Sequence, residues 1–133
     1  MKRICVFWGS TKGDRNACHE AATAFGSLLA AHGLGLAYGG ASIGLMGAVA
    51  DAVLQAAGDV TGVIPQSLVD KEIAHSGLTQ THIVDTMHER KALMAKLSDG
   101  FVALPGGIGT LEELFEMWTW AQVGMHDKPC VLL

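Results

Sequence analysis

The segment most informative about the fold reads Pro105-Gly106-Gly107-Ile108-Gly109-Thr110-Leu111-Glu112-Glu113. It follows an apolar run over 101–104 and opens an amphipathic segment. Glycines between a buried strand and a helix are typical of a parallel α/β sheet, where free backbone N–H groups at the positive end of a helix face an anion. Two carboxylates follow within one helical turn, and a phosphate cradle alone does not need them. The stretch therefore indicates a site for a phosphorylated ligand with bond-breaking chemistry attached.

Strand-like and helix-like segments alternate along the whole chain. We predict strands over 3–7, 35–38, 60–64, 83–85, 100–104 and 129–133, and helices over 15–32, 44–57, 87–97 and 110–123. Such alternation implies right-handed βαβ units and a mostly parallel sheet with helices on both faces. At 133 residues the chain fits a single nucleotide-binding α/β domain, 1–133, that buries its own core. The irregular stretch 66–81, with a short helix, is the best candidate for a lid or rim.

The last predicted strand ends the chain at Leu133. A terminal strand without a covering helix would leave one face of a parallel sheet open. We therefore expect either that the chain is truncated at its C-terminal end or that a partner subunit covers that face.

Composition excludes several classes of protein. The formal net charge is -4 with no basic run, which argues against a nucleic-acid partner. The apolar runs are too short or too interrupted by glycine to cross a membrane, and no signal peptide is recognisable, so we expect a cytoplasmic protein. The three cysteines show neither a C-x-x-C motif nor zinc-ligand spacing, so we expect buried, reduced thiols and no metal site.

Three loops rich in glycine and hydroxyl groups fall at the carboxyl ends of predicted strands. They cover 9–13, 38–44 and 105–110. In an open parallel sheet these ends meet at the edge where ligands bind, so three such loops together predict an anionic ligand. Neither the G-x-G-x-x-G fingerprint with a downstream acid nor the Walker motif is present, which disfavours dinucleotide and Walker-type sites.

A second informative stretch is Met87-His88-Glu89-Arg90-Lys91, which opens a helix at the same edge. Arg90 could pair bidentately with a phosphate or hold a carboxylate, and Lys91 would add a point charge. The alternative is a solvated charged turn without a binding role.

The two acids Glu112 and Glu113 lie in the first turn of the last long helix. The simpler interpretation is that acids there offset the helix macrodipole, although only one is needed for that. Adjacent helical residues point about 100° apart, and both acids flank the predicted buried stripe, so periodicity leaves open which one faces the ligand. That stripe is formed by Leu111, Leu114, Phe115 and Trp118, while Met117 and Trp120 widen the apolar surface and suggest a subunit contact as well.

The stretches PGGIGTLEE and MHERKALM, together with YGGASIGLMGAVADAVL and VFWGS, resemble the LOG (Lonely Guy) family along the whole chain. These proteins are cytokinin riboside 5'-monophosphate phosphoribohydrolases, formerly labelled lysine decarboxylase-like. The resemblance implies a Rossmann-like α/β fold with a mostly parallel sheet, and a homodimer with the site near the subunit interface. It also implies hydrolysis of the N-glycosidic bond of N6-substituted or plain adenosine 5'-monophosphates, giving a free base and ribose 5-phosphate, without a cofactor or metal.

The resemblance also implies roles for individual residues. Arg90 and Glu113 would be the catalytic pair, with Arg90 keeping Glu113 ionised. The substrate-binding positions would be Glu72, Arg90, Lys91, Gly107, Ile108, Gly109, Thr110, Leu111, Glu112, Glu113 and Thr119. Trp8 departs from the family pattern, because a smaller residue usually precedes the Gly-Ser pair.

Two other functions compete with this hypothesis. One is a non-catalytic Rossmann-like module that binds a nucleotide or cofactor, although such a module gains little from a carboxylate beside a phosphate. The other is an amino-acid decarboxylase, which needs a lysine that anchors a cofactor, and the sequence shows no lysine in such a context.

Overall fold

The computed structural model describes residues 1–9, 15–71 and 73–133. Its elements in chain order are β1 (Arg3–Phe7), α1 (Arg15–Ala31), β2 (Gly35–Tyr38), α2 (Gly44–Gln55), β3 (Val60–Pro65), α3 (Gln66–Val69), β4 (Gln80–Val84), α4 (Met87–Leu97), β5 (Gly100–Ala103), α5 (Ile108–Gln122) and β6 (Cys130–Leu132). Strand β4 begins three residues earlier than predicted. Its first residues are polar and lie on an edge strand, so the apolar pattern did not reveal that they pair with β3. This pairing begins with Gln80 opposite Thr61.

The six strands form one parallel sheet in the order β4-β3-β2-β1-β5-β6. The chain builds outward from β1 to β4 and then returns to place β5 on the other side of β1. This reversal is a topological switch point, and it opens a crevice beyond the carboxyl ends of β1 and β5.

Alternate residues of β1 point into two separate cores. Ile4 and Val6 belong to a core closed by α1 and α2, whereas Cys5 and Phe7 belong to a core closed by α4 and α5. The prediction of a parallel sheet covered by helices on both faces is confirmed. Both faces of its central strands are therefore apolar and buried, as expected for parallel strands.

Two glycines hold the carboxyl ends of β1 and β5 together. The Gly9 N–H donates a hydrogen bond to the Pro105 carbonyl at 3.2 Å. A side chain at Gly9 would overlap the backbone of Gly106. The close approach of the two loops therefore requires glycine at position 9. This contact fixes the start of the loop that leads into α5.

The predicted buried stripe of α5 is wrong in three of its four residues. Leu114 is buried together with Thr110 and Met117, while Leu111, Phe115 and Trp118 are 42%, 53% and 55% exposed. The helix carries apolar residues around most of its circumference, so the sequence does not determine which side the sheet covers. The sheet takes the side at positions 110, 114 and 117.

The three thiols are free, with Cys5 buried and Cys18 and Cys130 partly buried. Within the described parts of the chain, no three His, Cys, Asp or Glu side chains are grouped so that they could hold a metal ion. Within the same parts, no helix has both the length and the apolar character needed to cross a membrane.

Candidate active site

A cavity of about 170 Å³ opens next to the switch point, between the carboxyl ends of β1 and β2 and the N-terminal parts of α4 and α5. Its lining is of two kinds. The apolar part includes Phe7, Trp8, Tyr38, Met46, Met87 and Met94, and the charged part consists of Arg90, Lys91, Glu112 and Glu113. The two stretches singled out in the sequence thus meet in one cavity.

Helix α4 begins at a fixed point. Thr86 precedes it, and its hydroxyl oxygen accepts a hydrogen bond from the Glu89 N–H at 3.1 Å. In return, Glu89 Oε2 accepts one from the Asp85 N–H at 3.0 Å. This reciprocal arrangement is closely related to a capping box, and it sets the position of Arg90 in the first turn.

Two backbone carbonyls orient the guanidinium of Arg90. Its Nε donates to the Val63 carbonyl at 2.9 Å and its Nη2 donates to the Gly39 carbonyl at 2.6 Å. Burial lowers the pKa of Arg90, while Glu113 and Cys5 oppose that change. Arginine still remains a cation at any physiological pH, so the cavity holds a fixed positive charge.

Glu113 presents a carboxylate without a partner. It is partly buried in the cavity and makes no hydrogen bond or ion pair with any described residue. Burial, aided by Glu112 and Glu116, raises the pKa of Glu113 to about 7, against the opposing charges of Arg90 and Lys91. The charge of Arg90 favours the ionised form of Glu113, but desolvation is the larger effect, so the pKa of Glu113 stays above its ordinary value.

Glu112 differs sharply from Glu113. Its Oε1 lies 2.5 Å from Lys91 Nζ, and Lys91 lies equally close, at 2.5 Å, to Glu116 Oε2. These contacts lower the pKa of Glu112 and raise the pKa of Lys91. Of the two adjacent acids, one is held by a lysine and the other is free to act on a ligand.

The glycine-rich loop leaves the start of α5 uncapped. Gly107 precedes the helix without a side-chain cap, and the Leu111 N–H is the first to bond back, to the Gly107 carbonyl at 3.2 Å. The N–H groups of Ile108, Gly109 and Thr110 make no hydrogen bond to any residue that the structure describes. Free N–H groups at the positive end of a 15-residue helix are able to bind an anion.

Gly106 allows the same loop to pack closely against Thr110. A side chain there would overlap the hydroxyl of Thr110, which is buried against the loop. The loop itself, 105–109, is exposed, and side chains at Gly107 or Gly109 would meet no neighbour. Packing therefore requires glycine at position 106, whereas Gly107 and Gly109 leave the backbone accessible to a ligand.

The remaining sequence-derived positions are distributed differently. Leu111 lies on the exposed side of α5 and does not line the cavity, and Ile108 is exposed as well. Thr119 also lies outside the cavity, and its hydroxyl donates to the Phe115 carbonyl at 2.6 Å. Glu72 lies outside the described residues, as does most of the first glycine-rich loop, from Ser10 onwards.

Three contributors to the site were not predicted from the sequence. The Gly39 and Val63 carbonyls accept hydrogen bonds from Arg90, and Glu116 holds Lys91. The signal for Gly39 was its position directly after a buried strand, in one of the three loops. Glu116 carried no signal of its own, because its partner lies on another helix.

An all-parallel sheet with helices on both faces and a crevice at its switch point places the chain among the Rossmann-like α/β domains. A family model described as possible lysine decarboxylase matches residues 46–133. The chain belongs to this family, the LOG (Lonely Guy) family.

Three curated relatives carry the name cytokinin riboside 5'-monophosphate phosphoribohydrolase. The one from Rhodococcoides fascians is 51% identical over 99% of this chain and 67% of its own length. One from Arabidopsis thaliana is 54% identical, with coverage of 100% and 58%, and one from Oryza sativa subsp. japonica is 51% identical, with coverage of 100% and 55%. The chain thus spans between about half and two thirds of the length of these relatives.

Solved structures share the fold. The molybdenum cofactor carrier protein from Chlamydomonas reinhardtii aligns with a TM-score of 0.79 at 23% identity, over 98% of this chain and 75% of that one. The molybdenum cofactor binding protein from Rippkaea orientalis aligns with a TM-score of 0.80 at 21% identity and the same coverage. At such identities the likeness is one of fold alone, and it confirms the Rossmann-like prediction.

Proposed function

We propose that this chain hydrolyses the N-glycosidic bond of adenosine 5'-monophosphates, plain or N6-substituted, and releases the free base and ribose 5-phosphate. The observation that carries the proposal is the unpaired, partly buried carboxylate of Glu113 beside the fixed cation of Arg90. The names of the curated relatives point to the same reaction.

The reaction needs negative charge at one place. Cleavage of an N-glycosidic bond builds positive charge on the C1'–O4' unit of the ribose, as in other glycoside hydrolyses. In our proposal the Glu113 carboxylate stabilises that charge or orients the attacking water. Arg90, held by two carbonyls, would bind the substrate, and its positive charge favours the ionised form of Glu113.

The 5'-phosphate would be held at the start of α5. The free N–H groups of 108–110 supply donors that cost no reorganisation when the ligand binds. Further proposed binding positions that border the same region are Gly107, Lys91 and Glu112. Glu72 is also a proposed binding position. Binding energy from the phosphate would position the sugar over Glu113.

We further propose that the protein is a cytoplasmic homodimer that pairs through the outer side of α5. Phe115 and Trp118 stack there with ring centroids 6.4 Å apart, next to Leu111. Exposed aromatic clusters of this kind are typical of protein interfaces. Thr119 lies on the same side, so it would reach a nucleotide only in an assembly of two chains. Sedimentation at micromolar concentration should give a dimer that Trp118→Glu converts to a monomer, and a monomeric parent protein would contradict this.

A decarboxylase is disfavoured by the state of its required lysine. Among the residues that the structure describes, the lysine that lines the cavity is Lys91, which is bound by two carboxylates that raise its pKa. A lysine that forms a Schiff base must be able to lose its proton, and these contacts oppose that loss.

The test is incubation with AMP and with the N6-isopentenyl derivative of AMP, with chromatography to detect the free base. We expect base release from at least one of them, and a kcat/KM for adenosine lower by about 10²-fold or more because the phosphate is missing. Binding of AMP without release of base would favour the non-catalytic module instead. Equal kcat/KM for AMP and adenosine would overturn the role of the α5 start.

A further inference from the structure

Lys91 forms the ionic link between α4 and α5. Its Nζ lies 2.5 Å from one oxygen of Glu112 and 2.5 Å from one oxygen of Glu116. The two acids stand four residues apart, so they lie one above the other on the same side of α5. Glu113 is rotated by about 100° from Glu112, which places the lysine link to one side of it.

The two carboxylates that hold Lys91 are not equivalent. The Glu112 side chain is 53% exposed, whereas those of Glu116 and Lys91 are only 19% and 15% exposed. An exposed ion pair is weak, and a less exposed pair is less screened by solvent. Glu116 therefore gives Lys91 a second, less exposed anchor, although it does not itself line the cavity.

This anchor has a consequence for Glu113. Lys91, Glu112 and Glu113 all line the same cavity, so a lysine held by Glu112 alone would be free to turn towards Glu113. A lysine held by both Glu112 and Glu116, on the same side of α5, cannot turn towards Glu113. We propose that Glu116 is a positioning residue that fixes Lys91 against α5 and thereby leaves Glu113 unpaired for the substrate.

The proposal rests on the proposed function for its catalytic meaning, but its physical content can be measured without substrate. Among the described residues, the groups that act on Glu113 are Arg90 and Lys91 from α4, Glu112 and Glu116 from α5, and Cys5 from β1. Loss of the Glu116 charge acts on Glu113 in one direction only. It removes a repelling carboxylate, and it releases a lysine that can then approach, so both effects favour the ionised form.

The experiment is a ¹³C NMR titration of the side-chain carboxyl of Glu113, assigned by its disappearance in Glu113→Gln. In Glu116→Gln, an isosteric change, we expect the midpoint to fall by about half a pH unit or more. Glu116→Asp keeps the charge and should restore part of the shift. Lys91→Met should move the midpoint upward, because it removes the cation and leaves two unpaired acids. Glu20→Gln removes the same charge from an exposed position on α1 and should leave the midpoint unchanged.

An unchanged or raised midpoint in a folded Glu116→Gln protein would overturn the proposal. If that variant does not fold, a Lys91→Met midpoint that fails to rise would overturn it equally. A downward shift in a protein that releases no base from AMP would leave this inference standing and remove the proposed function. The two can therefore fail separately.

Discussion

The Arg90 guanidinium packs directly against Gly39, and its position requires glycine there. The Arg90 guanidinium lies where a side chain at position 39 would begin, and its Nη2 donates to the Gly39 carbonyl at 2.6 Å. The end of β2 thus both makes room for the cation and aims it. A residue of α4 is positioned by a loop 51 residues earlier in the chain.

Gly39→Ala should therefore disable the site without unfolding the protein. The new methyl group forces the guanidinium aside, and a misplacement of about 1 Å in an active site can cost on the order of 10²-fold in rate. We expect a loss of that order in kcat/KM for AMP, with an unchanged circular dichroism spectrum. Gly35→Ala, at the other end of β2, is the matched control, because its nearest neighbour would lie at 3.4 Å. Equal activity of the two variants would show that Arg90 does not need its present position.

The pH profile should report the ionisation of Glu113. The reaction as proposed needs the carboxylate, and burial raises the pKa of Glu113 to about 7 in the free protein. Since kcat/KM reports ionisations of the free enzyme, it should rise with pH and level off above pH 7. Measurement with AMP between pH 5 and pH 9 tests this. A kcat/KM that stays flat from pH 5 upward would mean that the acting acid has an ordinary pKa.

The same ionisation should cost stability. The pKa of Glu113 is raised from an ordinary value of 4.5 to about 7 on folding. The folded state therefore holds its proton more tightly, and the stability this provides is complete below pH 4.5 and is lost as the pH rises through 7. Glutamine carries no such charge. Glu113→Gln should thus exceed the parent protein in free energy of unfolding by roughly 1–3 kcal/mol at pH 8, with no difference at pH 4.

Urea unfolding of both proteins at the two pH values measures that difference. Glu20→Gln, an exposed change of the same kind, controls for net charge. A Glu113→Gln protein that is less stable than its parent at pH 8 would show that Glu113 serves the fold.

The sequence allowed the fold to be predicted because the signals were local. Alternating apolar segments separated by glycine turns predict a parallel sheet, and each of these patterns lies within a few consecutive residues. The side of α5 that faces the sheet could not be predicted in this way. Leu111, Phe115 and Trp118 have the spacing and apolarity of a core stripe, and only the position of the sheet shows that it covers Thr110, Leu114 and Met117 instead.

The candidate site shows the same limit at the level of single charges. The motif placed Glu112 and Glu113 side by side, and their periodicity could not separate them. The separation comes from Lys91, which reaches α5 from another helix and pairs with Glu112 and Glu116. Contacts between elements distant in sequence depend on packing, so they cannot be predicted from a local sequence pattern.

The roles of the two adjacent acids are separated by measuring hydrolysis of AMP by Glu113→Gln and by Glu112→Gln. If the unpaired acid stabilises the charge on the ribose, Glu113→Gln should lower kcat by on the order of 10²-fold or more. Glu112→Gln should lower it less than about tenfold, because Glu116 still holds Lys91. Near-normal turnover in Glu113→Gln, or a greater loss in Glu112→Gln, would show that Glu113 does not stabilise the charge on the ribose.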